Sequence, residues 1–335
     1  MEDMKNLAEL VEAQIRKNGN RLFSQNKDGW SWKQTTWLDF KKETRDLAAF
    51  LLGLEFGSGE KAMVFYPNTR EALWSEVAIS LLGGTVVSMS ERDALDGIEE
   101  VARAQNVGFM LGGGDEFLGR AKGILKRLPT VKRIIAFGDA KVGEEGGEVI
   151  PFKAALRFGA IKRRGLDDEI DKRAAGIEPD TAAAIFVDAG NPGSLVVTEH
   201  THADVISVVR SLSGRLSFLS EEDQSFSFLP SPCPFSRFIN YAGMEIGLRI
   251  MQAESWGGFF QDVLEVKPTV IFETAEALEE IHNAITREHG GHALKRALGG
   301  RLRSVVTDRK PSAVVESAFS EERIAVLEVG GLLLG

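Results

Sequence analysis

Short apolar runs alternate with segments of helical spacing along most of the chain. Residues 61–66 (KAMVFY) form an apolar run that predicts a strand, ended by Pro67-Asn68. Residues 71–82 have helical spacing and stop at Gly83-Gly84. Strands are predicted at 85–89 (TVVSM), 107–111 and 131–137, with helices at 94–105 and 116–128 between them. Upstream, 30–35 reads as a strand and 37–54 as an amphipathic helix that stops near Gly53. Apolar runs this short and unbroken suit strands covered on both faces. Their alternation with helices predicts parallel sheets.

The pattern weakens between 138 and 180. The stretch from Gly143 to Gly147 reads as a loop, and 167–179 is charged and ends in Pro179. A subdomain boundary is expected there, giving units 1–178 and 179–335. The rhythm then resumes. Strands are expected at 182–187, 225–229, 269–272, 302–306 and 324–327, and helices at 202–212, 238–251, 259–266, 276–288 and 313–319. The fold class is therefore α/β, with layered parallel sheets flanked by helices.

Charge narrows the partners. The formal net charge is −9, which argues against a nucleic-acid footprint, since phosphate neutralisation needs clustered Lys and Arg. The basic cluster Lys162-Arg163-Arg164 is followed by Asp167, Asp168 and Glu169 and reads as a solvated loop. Cys233 is the single cysteine, so no intramolecular disulfide forms, which fits a reducing cytosol. The first residues carry Glu2, Asp3 and Lys5 where a signal peptide needs an apolar run. No uncharged apolar stretch reaches the roughly 18 residues that a membrane span requires. A cytoplasmic location is expected.

The common motifs of phosphate binding and hydrolysis are missing: neither G-x-x-x-x-G-K-[ST], nor G-x-G-x-x-G after a strand, nor G-x-S-x-G occurs. His289 and His292 have a ligand-like spacing but no obvious acidic partner, so no metal site is assigned. Gly112-Gly113-Gly114 follows a strand and reads as a plain turn, with approach to a phosphate as the alternative.

Several local phrases, in order, carry a more specific signal. They are Trp30-Ser-Trp-Lys-Gln-Thr35 with the helix after it, residues 61–68 (KAMVFYPN), 180–187 (DTAAAIFV), 228–237 (FLPSPCPFSR), 266–272 (VKPTVIF), 299–303 (GGRLR) and 325–328 (AVLE). Together they resemble the AMP-forming acyl-CoA synthetases, an adenylate-forming family that includes acetyl-CoA synthetase and luciferase, with the long-chain fatty acyl branch nearest. The resemblance runs from about Leu7 to Gly335. It implies the N-terminal domain of an adenylate-forming enzyme, without the barrel subdomain and the C-terminal domain.

The departures fall on the chemistry. Adenylation needs backbone amides, hydroxyls, a lysine and Mg²⁺ to offset phosphate charge. The family's phosphate loop reads roughly T-S-G-T-T-G-x-P-K-G. Residues 187–196 here read VDAGNPGSLV, which keep glycines but lose the hydroxyl series and the lysine. Asp188, Gly190, Asn191 and Gly193 are the relic of that loop by resemblance. Asp188 adds negative charge and reads as a helix-cap or turn residue, with a ligand contact as the alternative. In the substrate-side motif H-x-F-E-R, Cys233 replaces the histidine and Arg237 remains. Arg237 reads as pairing with a surface acid, with a ligand contact as the alternative. Cys233 lies between prolines and nothing nearby points to a nucleophile. The family's G-V-P-R becomes Glu273-Thr274-Ala275-Glu276. Its S-G-G-A-P turn beside the adenine becomes Thr307-Asp308-Arg309-Lys310-Pro311. Its G-Y-G-x-T-E becomes residues 329–334 (VGGLLL).

The resemblance therefore implies an acyl-CoA synthetase-like protein that is catalytically inactive, with a binding or assembly role and no catalytic residue to assign. No cofactor is expected. The alternative is a residual long-chain fatty acid-CoA ligase, using ATP and Mg²⁺ and completed in trans by another chain. Partners consistent with the first reading are a second copy, an active acyl-CoA synthetase, or a fatty acyl ligand held beside 228–237 and 272–281. The apolar segment 326–335 is the expected pairing edge.

Overall fold

The computed structural model of the chain describes residues 4–28, 31–65, 69–90, 95–138, 149–191, 194–229, 234–253, 255–289 and 293–332. In chain order its elements begin with α1 (Leu7–Asn18), β1 (Leu22–Asp28), β2 (Ser31–Thr36), α2 (Trp37–Leu52), β3 (Lys61–Phe65), α3 (Arg70–Leu81) and β4 (Thr85–Met89). There follow α4 (Leu95–Ala104), β5 (Phe109–Gly112), α5 (Asp115–Arg127), β6 (Arg133–Ala136), β7 (Val149–Pro151), α6 (Phe152–Arg163), α7 (Asp167–Ala175), β8 (Ala182–Asn191) and β9 (Ser194–Thr201). The remainder is α8 (His202–Arg215), β10 (Gln224–Ser227), α9 (Pro234–Ile246), β11 (Arg249–Gln252), α10 (Phe259–Val266), β12 (Val270–Phe272), α11 (Ala275–His289), α12 (Leu294–Ala297), β13 (Ser304–Thr307), α13 (Ala313–Glu321) and β14 (Ala325–Glu328).

The described residues form two compact units. The first holds residues 1–19, 37–207 and 231–233; the second holds 20–36, 208–230 and 234–335. The division at 178/179 expected from sequence is thus displaced. Strands β8 and β9 join the first sheet, while β1 and β2, from near the N-terminus, join the second. The loop expected at 143–147 lies outside the described residues, and residues 149–175, part of the weakly patterned stretch where the boundary is expected, form β7, α6 and α7. The basic cluster Lys162-Arg163-Arg164 ends α6 and does not lie in a loop. The helix expected over 238–251 stops at Ile246, and β11 follows it.

In the first unit the strand order is β7-β6-β5-β3-β4-β8-β9, parallel except for β9 against β8. All five residues of β4 are buried, as are Ala62 to Phe65 of β3. Met63, Val87, Met110 and Ile134 pack with Ile98, Val101 and Ile124 from helices α4 and α5. Another face of the unit is held by polar clamps. Arg45 of α2 is almost buried; its Nε donates to Asp167 Oδ1 at 2.9 Å and a terminal nitrogen donates to Asp171 Oδ1 at 2.7 Å. Helices α2 and α6 meet at Gly159, where a Cβ would lie 1.7 Å from the Asp46 carbonyl oxygen.

In the second unit the order is β14-β13-β12-β10-β11-β1-β2, parallel except for the β1–β2 pair. Its core joins Phe226, Ile271 and Val305 of the strands to Phe259, Val263, Leu278, Ile281 and Val315 of the helices. The polar strand β1 is tied to α10 by Lys27, whose Nζ lies 2.5 Å from Asp262 Oδ1 and 3.2 Å from Glu265 Oε2. These bonds, that to Asp262 first, raise the Lys27 pKa above its ordinary value.

Gly159→Ala should lower stability by about 3 kcal/mol, because two helix backbones must separate to admit the methyl group. Thermal unfolding of the variant beside the parent checks this, and an unchanged midpoint would contradict the close approach.

Candidate functional site

Parallel strands leave their loops at two edges, and in open α/β sheets ligands bind outside the carboxyl ends. In the second unit four neighbouring strands, β10, β12, β13 and β14, end together. Phe228 follows the first, Glu273 the second, Asp308 the third and Val329 the last. The ladders continue past the strand ends: Glu273 N–H donates to Val306 O at 3.1 Å, and Val329 N–H to Thr307 O at 3.0 Å.

Glu273 is completely buried at this edge. Its Oε1 accepts a short hydrogen bond from the Phe228 N–H, while Oε2 has no hydrogen-bond partner among the described residues. Burial pushes the carboxyl up to about 8, against the pull of the Phe228 amide. At neutral pH the group is therefore mostly protonated. Leaving one oxygen unsatisfied costs about 1–3 kcal/mol.

The loops on either side are tied to each other. Asp308 Oδ1 accepts from the Ala275 N–H at 2.8 Å and satisfies a donor at the start of α11. Thr274 Oγ1 accepts from the Ala277 N–H at 3.2 Å. Glu276 pairs with Arg309, Lys310 lies 3.1 Å from Glu316, and Glu279 Oε1 accepts from the Ser312 N–H at 2.7 Å. Gly330 sits against the strand end after β13: a Cβ there would lie 1.6 Å from the Asp308 carbonyl oxygen. The acid at 276 and the base at 309 both depart from the resembled motifs, and they neutralise each other. No group of three or more His, Cys, Asp and Glu side chains among the described residues is placed to hold a metal ion.

The residues singled out from sequence are dispersed. Asp188, Gly190 and Asn191 lie on β8 in the first unit. Asp188 pairs with Val196 and Asn191 with Ser194, with an irregular register between them. Asp188 is thus a strand position, correcting the helix-cap or turn expected for it: the apolar run 182–187 carries its pairing with β9 past its own end. Gly193 and Cys233 lie outside the described residues, as does His292. Arg237 belongs to α9 in the second unit and is 5% exposed. Its Nε donates to the Tyr241 hydroxyl at 2.9 Å, one turn along the helix. The surface position expected for Arg237 is corrected: the side chain is buried, with Tyr241 as one of its partners. Of the expected apolar edge at 326–335, residues 333–335 lie outside the described residues; in the rest Val329 is buried and Val326 and Leu327 are half-buried.

The burial of Glu273 emerges only from the structure. Its signal in the sequence was an acid directly after the apolar strand VIF, where a solvated turn would be the ordinary reading. Two cavities in the first unit do not include any residue assigned from sequence. One of about 520 Å³ lies between α1 and α7, beside Glu12, Arg16 and Asp171. The other, of about 740 Å³, lies at the amino ends of β3 and β5, beside Glu60, Lys61 and Gln105.

The sequence model of the AMP-binding enzyme family matches residues 11–332. No curated protein matches the chain. The fold is similar to that of the anthranilate CoA ligase AuaEII in complex with anthranoyl-AMP, with a TM-score of 0.81 at 16% identity, over 96% of this chain and 58% of that one. It is similar to the N-terminal domain of FACL13 from Mycobacterium tuberculosis, with a TM-score of 0.75 at 13% identity, over 96% and 75% of the two chains. It is also similar to a long-chain-fatty-acid-CoA ligase (FadD1) from Archaeoglobus fulgidus, with a TM-score of 0.73 at 14% identity, over 94% and 60%. The chain spans between 58% and 75% of the length of these structures.

Glu273→Gln tests the buried carboxyl. Unfolded, the group ionises near its ordinary 4.5; folded, it holds its proton to about 8. Its contribution to stability is therefore full below the lower value, declines as pH rises, and is lost through the upper one. The slope reaches about 1.4 kcal/mol per pH unit. The glutamine variant should be more stable than the parent at alkaline pH and should lack this slope in denaturant titrations across the window. Parallel pH profiles of the two proteins would contradict the assignment.

Proposed function

This chain belongs to the AMP-binding enzyme family, and we propose that it keeps the family's fold without the adenylation reaction, serving as a binding or assembly protein. The observation that carries this reading is the closure of the strand ends in the second unit. There Asp308, Arg309 and Gly330 make contacts with the protein itself at positions that the resemblance assigns to a nucleotide, and Arg309 pairs with Glu276, which stands where the family has an arginine before the acyl-site helix. The sequence around β8 and β9 points the same way. A phosphate loop works through amides, hydroxyls and a lysine that meet developing charge, and 187–196 keeps Gly190 and Gly193 but has a single hydroxyl residue, Ser194, and no lysine. Losing one such donor costs about 3 kcal/mol of transition-state stabilisation, and several motifs here are altered together.

In this reading Asp188, Gly190, Asn191 and Gly193 are the remains of a phosphate loop, and Cys233 and Arg237 the remains of a substrate-side motif. Neither ATP nor Mg²⁺ is a cofactor. A long-chain fatty acyl group is the ligand class we assign, and a second copy or an active acyl-CoA synthetase the class of partner. The similar folds include ligases named for fatty acids and for anthranilate, so the acyl assignment rests on the sequence phrases at 228–237 and 266–272.

ATP–pyrophosphate exchange with fatty acids from short to long, in Mg²⁺ and at high protein concentration, should give no acid-dependent signal from folded protein. A fatty acid-dependent exchange that disappears on replacing Gly190 would overturn the reading and establish the ligase in its place.

A further inference from the structure

Helix α6 carries a run of positive charge in an acidic chain. Between residues 152 and 166 there are five cations, Lys153, Arg157, Lys162, Arg163 and Arg164, and no acid, in a protein of net charge −9. The helix is docked by one face only. Phe152, Ala155 and Gly159 are buried, with Gly159 against the backbone of α2, and Arg163 is held by Asp46 at 3.1 Å. The opposite face holds two of the most exposed large apolar side chains of the described residues, Phe158 at 56% and Ile161 at 76%.

The spacing arranges these groups into adjacent stripes. Positions 154, 158 and 161 follow one another at i, i+4 and i+7, which gives Ala154, Phe158 and Ile161 a common line along the helix. Positions 153, 157 and 164 form a parallel line of cations beside it, and Lys162, lying across Gly53, flanks the other side. Lys153, Arg157, Lys162 and Arg164 are all exposed. Arg157 and Arg164 have no ion pair among the described residues. The acids of α7 that follow are partly engaged: Asp167 and Asp171 hold Arg45, and Glu169 holds Arg173, while Asp168 is exposed.

We propose that the outward face of α6 docks on a membrane surface rich in anionic phospholipid. The chemistry matches in both of its parts. Phe158 and Ile161 project far enough to enter the boundary between headgroups and acyl chains, and long cationic stems on both sides reach the headgroup phosphates. A protein partner would need a complementary surface of roughly 1,000 Å² or more, and two projecting side chains on a single exposed helix supply little of it. A bilayer takes such a ridge without a shaped pocket. The helix has 12 residues, and no helix among the described residues is long and apolar enough to cross a membrane, so the attachment is interfacial and reversible.

Sedimentation of the full chain with vesicles tests this, comparing phosphatidylcholine alone with phosphatidylcholine containing phosphatidylglycerol. Binding is expected only to the anionic vesicles and should weaken as salt rises. Each cation near the surface contributes on the order of fivefold in affinity, so Arg157→Glu with Arg164→Glu should reduce binding more than about tenfold. Phe158→Ser with Ile161→Ser should weaken it while leaving the salt dependence in place. All four positions are exposed, so each variant should unfold at the parent's midpoint. Equal binding to neutral vesicles, or anionic binding that survives the charge reversal, would overturn the proposal. So would capture by immobilised polyglutamate without binding to either vesicle, which would point to an acidic protein partner.

Discussion

A parallel strand must be covered on both faces, because its crossover connections place helices above and below the sheet. Most of this structure follows from that constraint. Strands β3, β4, β5, β12 and β13 are nearly or wholly buried along their length, so their side chains answer to packing and cannot carry chemistry exposed to solvent. The backbone groups of the strands are used by the ladders. What remains free to vary is the set of loops at the strand ends, and the departures from the resembled family are concentrated there. The fold can persist under such changes because the core does not depend on those loops.

At the carboxyl edge of the second sheet the replacements form a connected set. Glu276 and Arg309 are opposite charges that meet, and Asp308 satisfies a helix donor that would otherwise need water. An exposed ion pair alone contributes only about 0–1 kcal/mol. Its significance lies in where it sits, across the two segments that stand in place of the resembled family's G-V-P-R and S-G-G-A-P. Glu273 is the costly member. A carboxyl without solvent stays protonated, and one of its oxygens lacks a partner, so it weakens the fold as pH rises.

The sequence made the buried elements legible and left the half-buried ones obscure. KAMVF and TVVSM read as strands because nearly every residue is apolar. LFSQNKD, now β1, is polar along most of its length and is held through Lys27 and Asp262, a contact that no local pattern reveals. Helix α6 escaped because its outward Phe158 and Ile161 blur the apolar stripe that marks a docked helix. Strand β11 was absorbed into the helix before it, since RIMQ is only four residues long and continues an apolar run. Of the site, the sequence showed which motifs had changed. It could not show that the changed residues bind one another, since Glu276 and Arg309 lie 33 positions apart. Nor could it show that Arg237 is buried beside Tyr241.

The central claim is that protein groups occupy the role of a nucleotide at the strand ends of the second unit. Calorimetric titration with a non-hydrolysable ATP analogue in Mg²⁺, a probe without an acyl chain, tests it without requiring turnover. The account predicts no saturable binding by folded chain. Saturable one-to-one binding that weakens when Asp308 or Arg309 is replaced would contradict it.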